Sequence, residues 1–228
     1  MPELPEVETI KNQISNFLPL EIKKVSYSSK ITRLIKQQDY QLKTGTITNI
    51  ARKGKYLLFY FENSNQYIIS HLGMSGSWRI SDEKLDSEKG KHAHVIFETD
   101  KKVLSYVDPR RFGHIYFLNR KNFEEKRKAF PLDISEPDFN ADHIKSLFSD
   151  HPNKTLKPFL LDQKYLAGVG NYIASEICAR SKLLPDRRVE SLTMKNCKDI
   201  KAAIDIIIAG AVKGSGTTFS GGYLDAFG

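Results

Sequence analysis

The spacing of apolar residues changes character partway along this chain. From residue 20 to about residue 120 they alternate or cluster in short runs, at Glu21–Tyr27, Tyr56–Phe61, Tyr67–Ser70, Val95–Glu98 and Val103–Val107. Turn-forming residues such as Asn63-Ser64-Asn65 and Thr99-Asp100 divide the runs. Successive side chains of a strand point to opposite faces, so this texture suits short antiparallel strands. Beyond residue 140 the recurrence becomes helical. Ala141–Phe148 and Lys154–Asp162 read as short helices, Asn171–Ser181 as a third with Asn171 suited to the N-cap, and Ser191–Val212 as the longest. A chain that switches period folds as separate sheet and helix parts. The fold class is therefore α+β, an N-terminal antiparallel β-sandwich followed by a C-terminal helical domain.

A further helix opens the chain at residues 5–18, where Val7, Ile10, Ile14 and Phe17 share a face. The charged, proline-punctuated stretch from Arg120 to Asp138 reads as the connection between the parts. It places one domain at residues 1–130 and the other at 131–228. Glycines crowd residues 214–222, and that density predicts a mobile loop.

The 228 residues suit one large domain or two small ones, and 40% apolar content is enough for real cores. No run approaches the roughly 18 to 20 apolar residues of a membrane span. The start lacks a signal peptide's basic and apolar regions, which predicts a cytoplasmic protein without membrane association. Two cysteines, Cys178 and Cys197, make neither a disulfide framework nor a four-cysteine metal site, and read as packing residues. The net charge of +8 is spread, +4 before residue 151 and +4 from it onward. A distributed basic surface fits a polyanion such as DNA.

The first eight residues, Met1-Pro2-Glu3-Leu4-Pro5-Glu6-Val7-Glu8, carry the strongest chemical signal. Removal of the initiator methionine leaves a secondary amine on Pro2, and its attack on an aldehyde-like carbon gives an iminium ion directly. A free α-amino group has a pKa near roughly 7.7 to 8.0, so a useful neutral fraction exists at physiological pH. Standing at a helix N-terminus lowers it further, because the dipole disfavours a cation there. Glu3 is adjacent and can move protons. Glu6 lies three residues on, along the same side of a helical turn. Acids in a first turn also complement the helix dipole, which alone accounts for glutamates at 3, 6 and 8. Prolines near a helix start are likewise ordinary.

Five segments in one order resemble the formamidopyrimidine-DNA glycosylase (Fpg/Nei) family. They are MPELPEVE at 1–8, RKGKYL at 52–57, HLGMSGSWRI at 71–80, DPRRFG at 108–113 and AGVGNYIASE at 167–176. The opening PELPEVE is more similar to the Fpg, or MutM, branch than to the Nei branch. The resemblance covers essentially the whole chain. It implies a helix–two-turn–helix motif in the helical domain, with DNA crossing the cleft between domains.

The resemblance also implies roles. Pro2 attacks C1′ of the damaged nucleotide, and the strand is cut by β- and δ-elimination. Glu3 is the general acid/base that helps open the deoxyribose ring. Glu6 anchors the N-terminus. Lys55, on a hairpin turn after Gly54, contacts the phosphate beside the lesion, with Lys53 its nearest competitor. His71 and His92 contact phosphates. His92 and His94 also suggest a metal pair, but no third ligand is evident. Met74 fills the hole left by the extruded base. Arg110 bonds the orphaned cytosine, and Phe112 wedges between base pairs; Arg111 is structural, paired with Asp108. Asn171 and Lys157 contact DNA, and the helix begun at Asn171 offers N–H groups to a phosphate.

Members of the family continue into a four-cysteine zinc finger whose arginine grips the lesion phosphates. This sequence ends at Gly228 without those cysteines, as a fragment or a short form, and Thr217–Gly228 matches only the start of the loop that covers the extruded base. No cofactor is expected in this chain. The implied activity is that of a monomeric bifunctional glycosylase and AP lyase, removing oxidised purines from double-stranded DNA in base excision repair. Three rivals stand beside it: a Nei-like preference for oxidised pyrimidines, a truncated damaged-DNA-binding protein without excision, and a general basic DNA-binding module with no preference for damaged duplex.

Overall fold

The structure, a computed structural model, describes residues 2–83 and 89–213. The expected loop at 214–222 and the segment Thr217–Gly228 lie outside the described residues. The elements run α1 (Leu4–Ser15), β1 (Leu20–Tyr27), β2 (Ile35–Gln38), β3 (Gly45–Lys53), β4 (Tyr56–Phe61), β5 (Tyr67–His71), β6 (Ser77–Ser81), β7 (Ala93–Thr99), β8 (Val103–Val107), β9 (His114–Leu118), α2 (Arg120–Lys128), α3 (Ala141–Asp150), α4 (Leu156–Leu161), α5 (Asn171–Arg180) and α6 (Met194–Lys213).

The nine strands form one hydrogen-bonded ladder in the order β2-β9-β5-β4-β3-β1-β7-β8-β6. All pairs are antiparallel except β2 with β9. The ladder closes over on itself. Phe59 of β4 meets Trp78 of β6 at 5.0 Å between ring centroids, although the two strands are far apart in the order. The Trp78 indole N–H also donates to Ser70 Oγ of β5 at 2.9 Å. The sandwich layers are thus two halves of a continuous sheet, joined through β3, β1 and β7. Register shifts in β1 and β3 interrupt the ladder, and such bulges bend a strand.

Two cores result. One lies between the layers, with Val7, Ile10 and Ile14 of α1 packed against it. The other is helical, formed by α3 to α6 with Ile134 and Phe139. Leu4 belongs to the helical core although it opens α1. Both cysteines are buried there as free thiols, and burial pushes each thiol pKa up. Among the described residues no helix is long and apolar enough to cross a membrane.

Some expectations need correction. Helix α1 stops at Ser15, with Asn16 as C-cap, and Phe17 packs on the core from outside the helix. The connection from Arg120 holds a helix of its own, α2, capped by the Asn119 side chain and basic in its last turn. Strands β2, β3, β6 and β9 went unread. Gly170, not Asn171, is the N-cap of α5, because the group that satisfies this helix start comes from elsewhere in the chain.

Candidate active site

The start of α1 is locked to the start of α5. Pro2 is buried. The Glu3 N–H donates to Glu6 Oε2 at 2.8 Å, the anchoring expected of Glu6. Burial raises the Glu6 carboxyl pKa and the nearby Glu3 adds to this, while backbone N–H bonds and the chain's amine act against it. The Glu3 carboxylate, 6% exposed, accepts from the N–H groups of Gly170 (3.0 Å), Tyr172 (2.8 Å) and Ile173 (3.0 Å). A carboxylate at a helix N-terminus is favoured by both the orphan donors and the dipole. A Cβ on Gly170 would stand 2.2 Å from Glu3 Cδ, so only glycine fits. The expectation has the α5 N–H groups facing a phosphate, whereas here Glu3 takes two of them and the N-cap N–H of Gly170. The Asn171 side chain is exposed beside this seat.

Lys55 sits in the β3–β4 turn. Gly54 adopts φ +58°, and its Cβ position would press 3.0 Å against Ala167 Cβ, so the turn lies directly on the segment before α5. The Gly54 N–H donates to Asp133 Oδ2 at 2.6 Å, and Arg52 donates to the same oxygen at 2.5 Å. Arg52 also bonds Glu8 of α1 at 2.7 Å. A buried ion cluster therefore fastens the turn to both neighbours. Lys55 is 6% exposed. Burial pulls its ammonium pKa down, and the charge of nearby Glu3 opposes that pull. Lys53 is engaged with Glu136 at 2.5 Å, which sets the two lysines apart.

A second group forms at the tips of β5, β8 and β9. The loops at 72–76 and 108–113 are packed together. A Cβ on Gly73, at φ +65°, would fall 2.4 Å from the Phe112 carbonyl carbon. Asp108 is fully buried and organises both loops, accepting from Ser75 Oγ (2.6 Å), the Arg110 N–H (3.2 Å) and the Gly113 N–H (2.8 Å). The carboxylate thus serves the loop rather than Arg111, which bonds Asp108 only through its backbone N–H at 3.3 Å to the carbonyl. Arg111 takes φ +55°, and its Nε is buried without a partner. Met74 (44% exposed), Phe112 (51%) and Arg110 project outward, with the Arg110 guanidinium 4.7 Å over the Phe112 ring.

His71, at the end of β5, accepts the Gly73 N–H on Nδ1 at 3.1 Å. Its pKa falls to about 4, chiefly through burial, with His114 and Lys55 adding to it. His92 is half-buried, and its carbonyl accepts the Asp108 N–H at 3.0 Å, at the base of the same loop. His94 is buried and bonds Ser28 Oγ (2.8 Å) and the Asp108 carbonyl (3.0 Å), a structural use of its ring. Among the described residues no three potential metal ligands cluster. Lys157 of α4 donates to Ser175 Oγ of α5 at 3.0 Å.

The residues thus gather in two places. Glu3 meets the α5 start, with Pro2 beside it in the chain, Glu6 bonded to its N–H, Lys55 within its electrostatic reach and Asn171 flanking. Met74, Arg110, Phe112, His71 and His92 share the loop end of the sheet. Arg52, Ser75, Asp133 and Gly170 support these sites without having been singled out. Arg52, Ser75 and Gly170 lie inside the motifs quoted above, whereas nothing in the sequence near Asp133 announces a partner 81 residues away.

Residues 1–115 match the formamidopyrimidine-DNA glycosylase N-terminal domain, and residues 131–221 match the formamidopyrimidine-DNA glycosylase H2TH domain. The formamidopyrimidine-DNA glycosylase of Wolbachia pipientis wMel is 35% identical over 226 residues, covering 96% of this chain and 80% of that protein. The Lactococcus lactis enzyme, solved non-covalently bound to DNA with an AP site, superposes with TM-score 0.84 at 26% identity, covering 94% of this chain and 83% of that one. A structure of MutM with DNA containing carbocyclic 8-oxo-G gives 0.85 at 26% identity, covering 96% and 82%. The chain belongs to the formamidopyrimidine-DNA glycosylase (Fpg/MutM) family of DNA-repair glycosylases.

Proposed function

We propose that this chain is a bifunctional DNA glycosylase and AP lyase acting on oxidised purines, 8-oxoguanine opposite cytosine and formamidopyrimidines, in double-stranded DNA. The observation that carries the reading is the Glu3 seat. Three N–H groups hold the carboxylate beside Pro2, with buried Lys55 in electrostatic range. With Met1 removed, the Pro2 amine attacks C1′ as the base leaves, and the iminium ion so formed permits elimination at the phosphates. Glu3 moves protons at the sugar, and Lys55 meets the adjacent phosphate. Met74, Arg110 and Phe112 enter the duplex, where an apolar wedge unstacks a step and frees the nucleotide for extrusion. His71, His92, Lys157 and Asn171 contact the backbone. The chain acts as a cytoplasmic monomer, and the chemistry requires no cofactor.

Borohydride trapping on a duplex with 8-oxoguanine opposite cytosine tests this. A covalent adduct that weakens or vanishes in Pro2→Gly is expected. An adduct on an abasic site alone would leave a lyase without base recognition. Binding to lesion DNA with no adduct on either substrate would make it a damaged-DNA-binding protein. Excision of thymine glycol in preference to 8-oxoguanine would assign it a Nei-like range.

A further inference from the structure

The outer face of β4, β5 and β9 carries a feature that the roles above leave unused. Alternate residues of these strands point away from the sandwich core, where Phe123 and Phe130, from α2 and just beyond it, pack over Leu58, Ile69 and Leu118. Toward the loop end this cover gives out and the face turns polar. His71 and His114 are directly paired across β5 and β9, their rings 5.9 Å apart. Tyr56 lies 4.7 Å from the His71 ring. Tyr116, two residues along β9 from His114, holds the Lys126 ammonium 4.0 Å above its ring. Lys36 rises from the adjoining strand β2 and, with Lys126, pulls the His114 pKa down further than burial alone.

The two lysines flanking the His114 ring are not balanced by acids. Among the described residues neither Lys36, Lys126 nor His114 makes an ion pair. Lys36 reaches only the Arg33 carbonyl, at 3.4 Å. Glu124 is paired with Arg127, and the Asp39 carboxylate is bonded to the neutral donors Asn119, Asn122 and Gln37 rather than to either lysine. Unneutralised cations side by side raise the free energy of the chain unless an anion joins them. The position indicates which anion. Strands β5 and β9 run from His71 and His114 straight into the loops that present Met74 and Phe112.

Building on the DNA-binding reading above, we propose that Lys36, His114 and Lys126 form a phosphate shelf. It extends the backbone track of the duplex beyond His71, on the side of the sheet covered by α2. Here DNA phosphates supply the missing negative charge, and Tyr116 holds Lys126 toward them.

The test is the salt dependence of binding to a duplex carrying a tetrahydrofuran abasic analogue, for wild type, Lys36→Gln/Lys126→Gln, and a control, Lys23→Gln/Lys24→Gln, that removes equal charge from β1. Loss of two phosphate contacts is expected to flatten the slope of log affinity against log salt by about 1 to 2 and to weaken binding severalfold at low salt. The control should keep the wild-type slope, and trimming the duplex on the shelf side should erase the difference between wild type and variant. If wild type binds the abasic duplex yet both double variants share its slope, the shelf is refuted while the DNA-binding reading stands. If wild type shows no binding, both fall together. Thermal melting of each variant excludes a folding effect.

Discussion

Glu3 joins chemistry and structure in one side chain. Its carboxylate caps a helix whose N-cap residue, Gly170, lies 167 residues later. Glu3→Gln keeps the shape but replaces one acceptor oxygen with a donor facing N–H groups. Single-turnover trapping should slow by roughly 10²- to 10⁴-fold, as for loss of a general acid/base. Denaturant unfolding should show a loss of about 1 to 3 kcal/mol, the cost of orphaned buried donors. His71 makes a different point. Its pKa near 4 leaves the ring neutral at physiological pH, so any phosphate it meets receives a hydrogen bond rather than a charge. The unfolded imidazole takes up a proton near pH 6.5, well above the folded ring. His71 therefore withdraws stability as pH falls from about 6.5 toward 4, and adds nothing further below that. His71→Gln should melt with a flatter pH profile than wild type across this window, and equal slopes would contradict the assignment.

At the scale of elements, two glycines decide whether neighbouring pieces can touch. Gly73→Ala drives a methyl into the Phe112 backbone at a left-handed position, so the two loops must separate. We expect weaker preference for damaged over intact duplex in a competition assay, with the Pro2 adduct still forming on a pre-made abasic site. Gly170→Ala would do the reverse. It displaces Glu3 and should abolish trapping while leaving the exposed Met74–Phe112 tip unchanged. Legibility followed burial pattern. β4 and β8 are legible to the residue because apolar and aromatic residues fill Tyr56–Phe61 and all but Ser105 of Val103–Val107, with turn residues bounding both. β3 was missed because only Ile47 and Ile50 are buried, three residues apart around a bulge, and no alternation survives. β6 buries Ser77 beside Trp78, and a polar residue inside disguises the strand. α2 buries Phe123 alone, too little for a periodic signal.

For the molecule as a whole, the site exists only where the two cores meet. Asp133, Arg52, Glu8 and the Gly54 N–H form a buried joint between them. Burial pushes the Asp133 carboxyl pKa up, but the Arg52 charge and the surrounding hydrogen bonds outweigh it and the net shift is downward. A depressed carboxyl contributes stability above its unfolded pKa, near roughly 3.9, and loses it as pH falls through the lower folded value. Asp133→Asn removes one of the two carboxylates that hold the buried Arg52, leaving Glu8 alone to compensate its charge, and takes the acceptor from the Gly54 N–H. It should cost about 3 to 5 kcal/mol and flatten the acid limb of the unfolding profile. The same residue should loosen the Lys55 turn, so lowered trapping is expected even where the fold persists. The motifs made the catalytic residues legible, because their residue types announce their chemistry. The joint was not, since its partners are ordinary charged residues whose meaning lies in a distant pairing.

The Glu3 seat also sets an order of events during synthesis. Residues 2–7 leave the ribosome well before Gly168 and the α5 start that receive them, which lie more than 160 residues further along the chain. Leu4, which donates to the Gly168 carbonyl and packs in the helical core, has nowhere to go until then. The N-terminus therefore stays accessible to an aminopeptidase until the α5 start has emerged and folded, and becomes buried only then. Maturation of the Pro2 amine has a deadline, and folding of the helical half sets it.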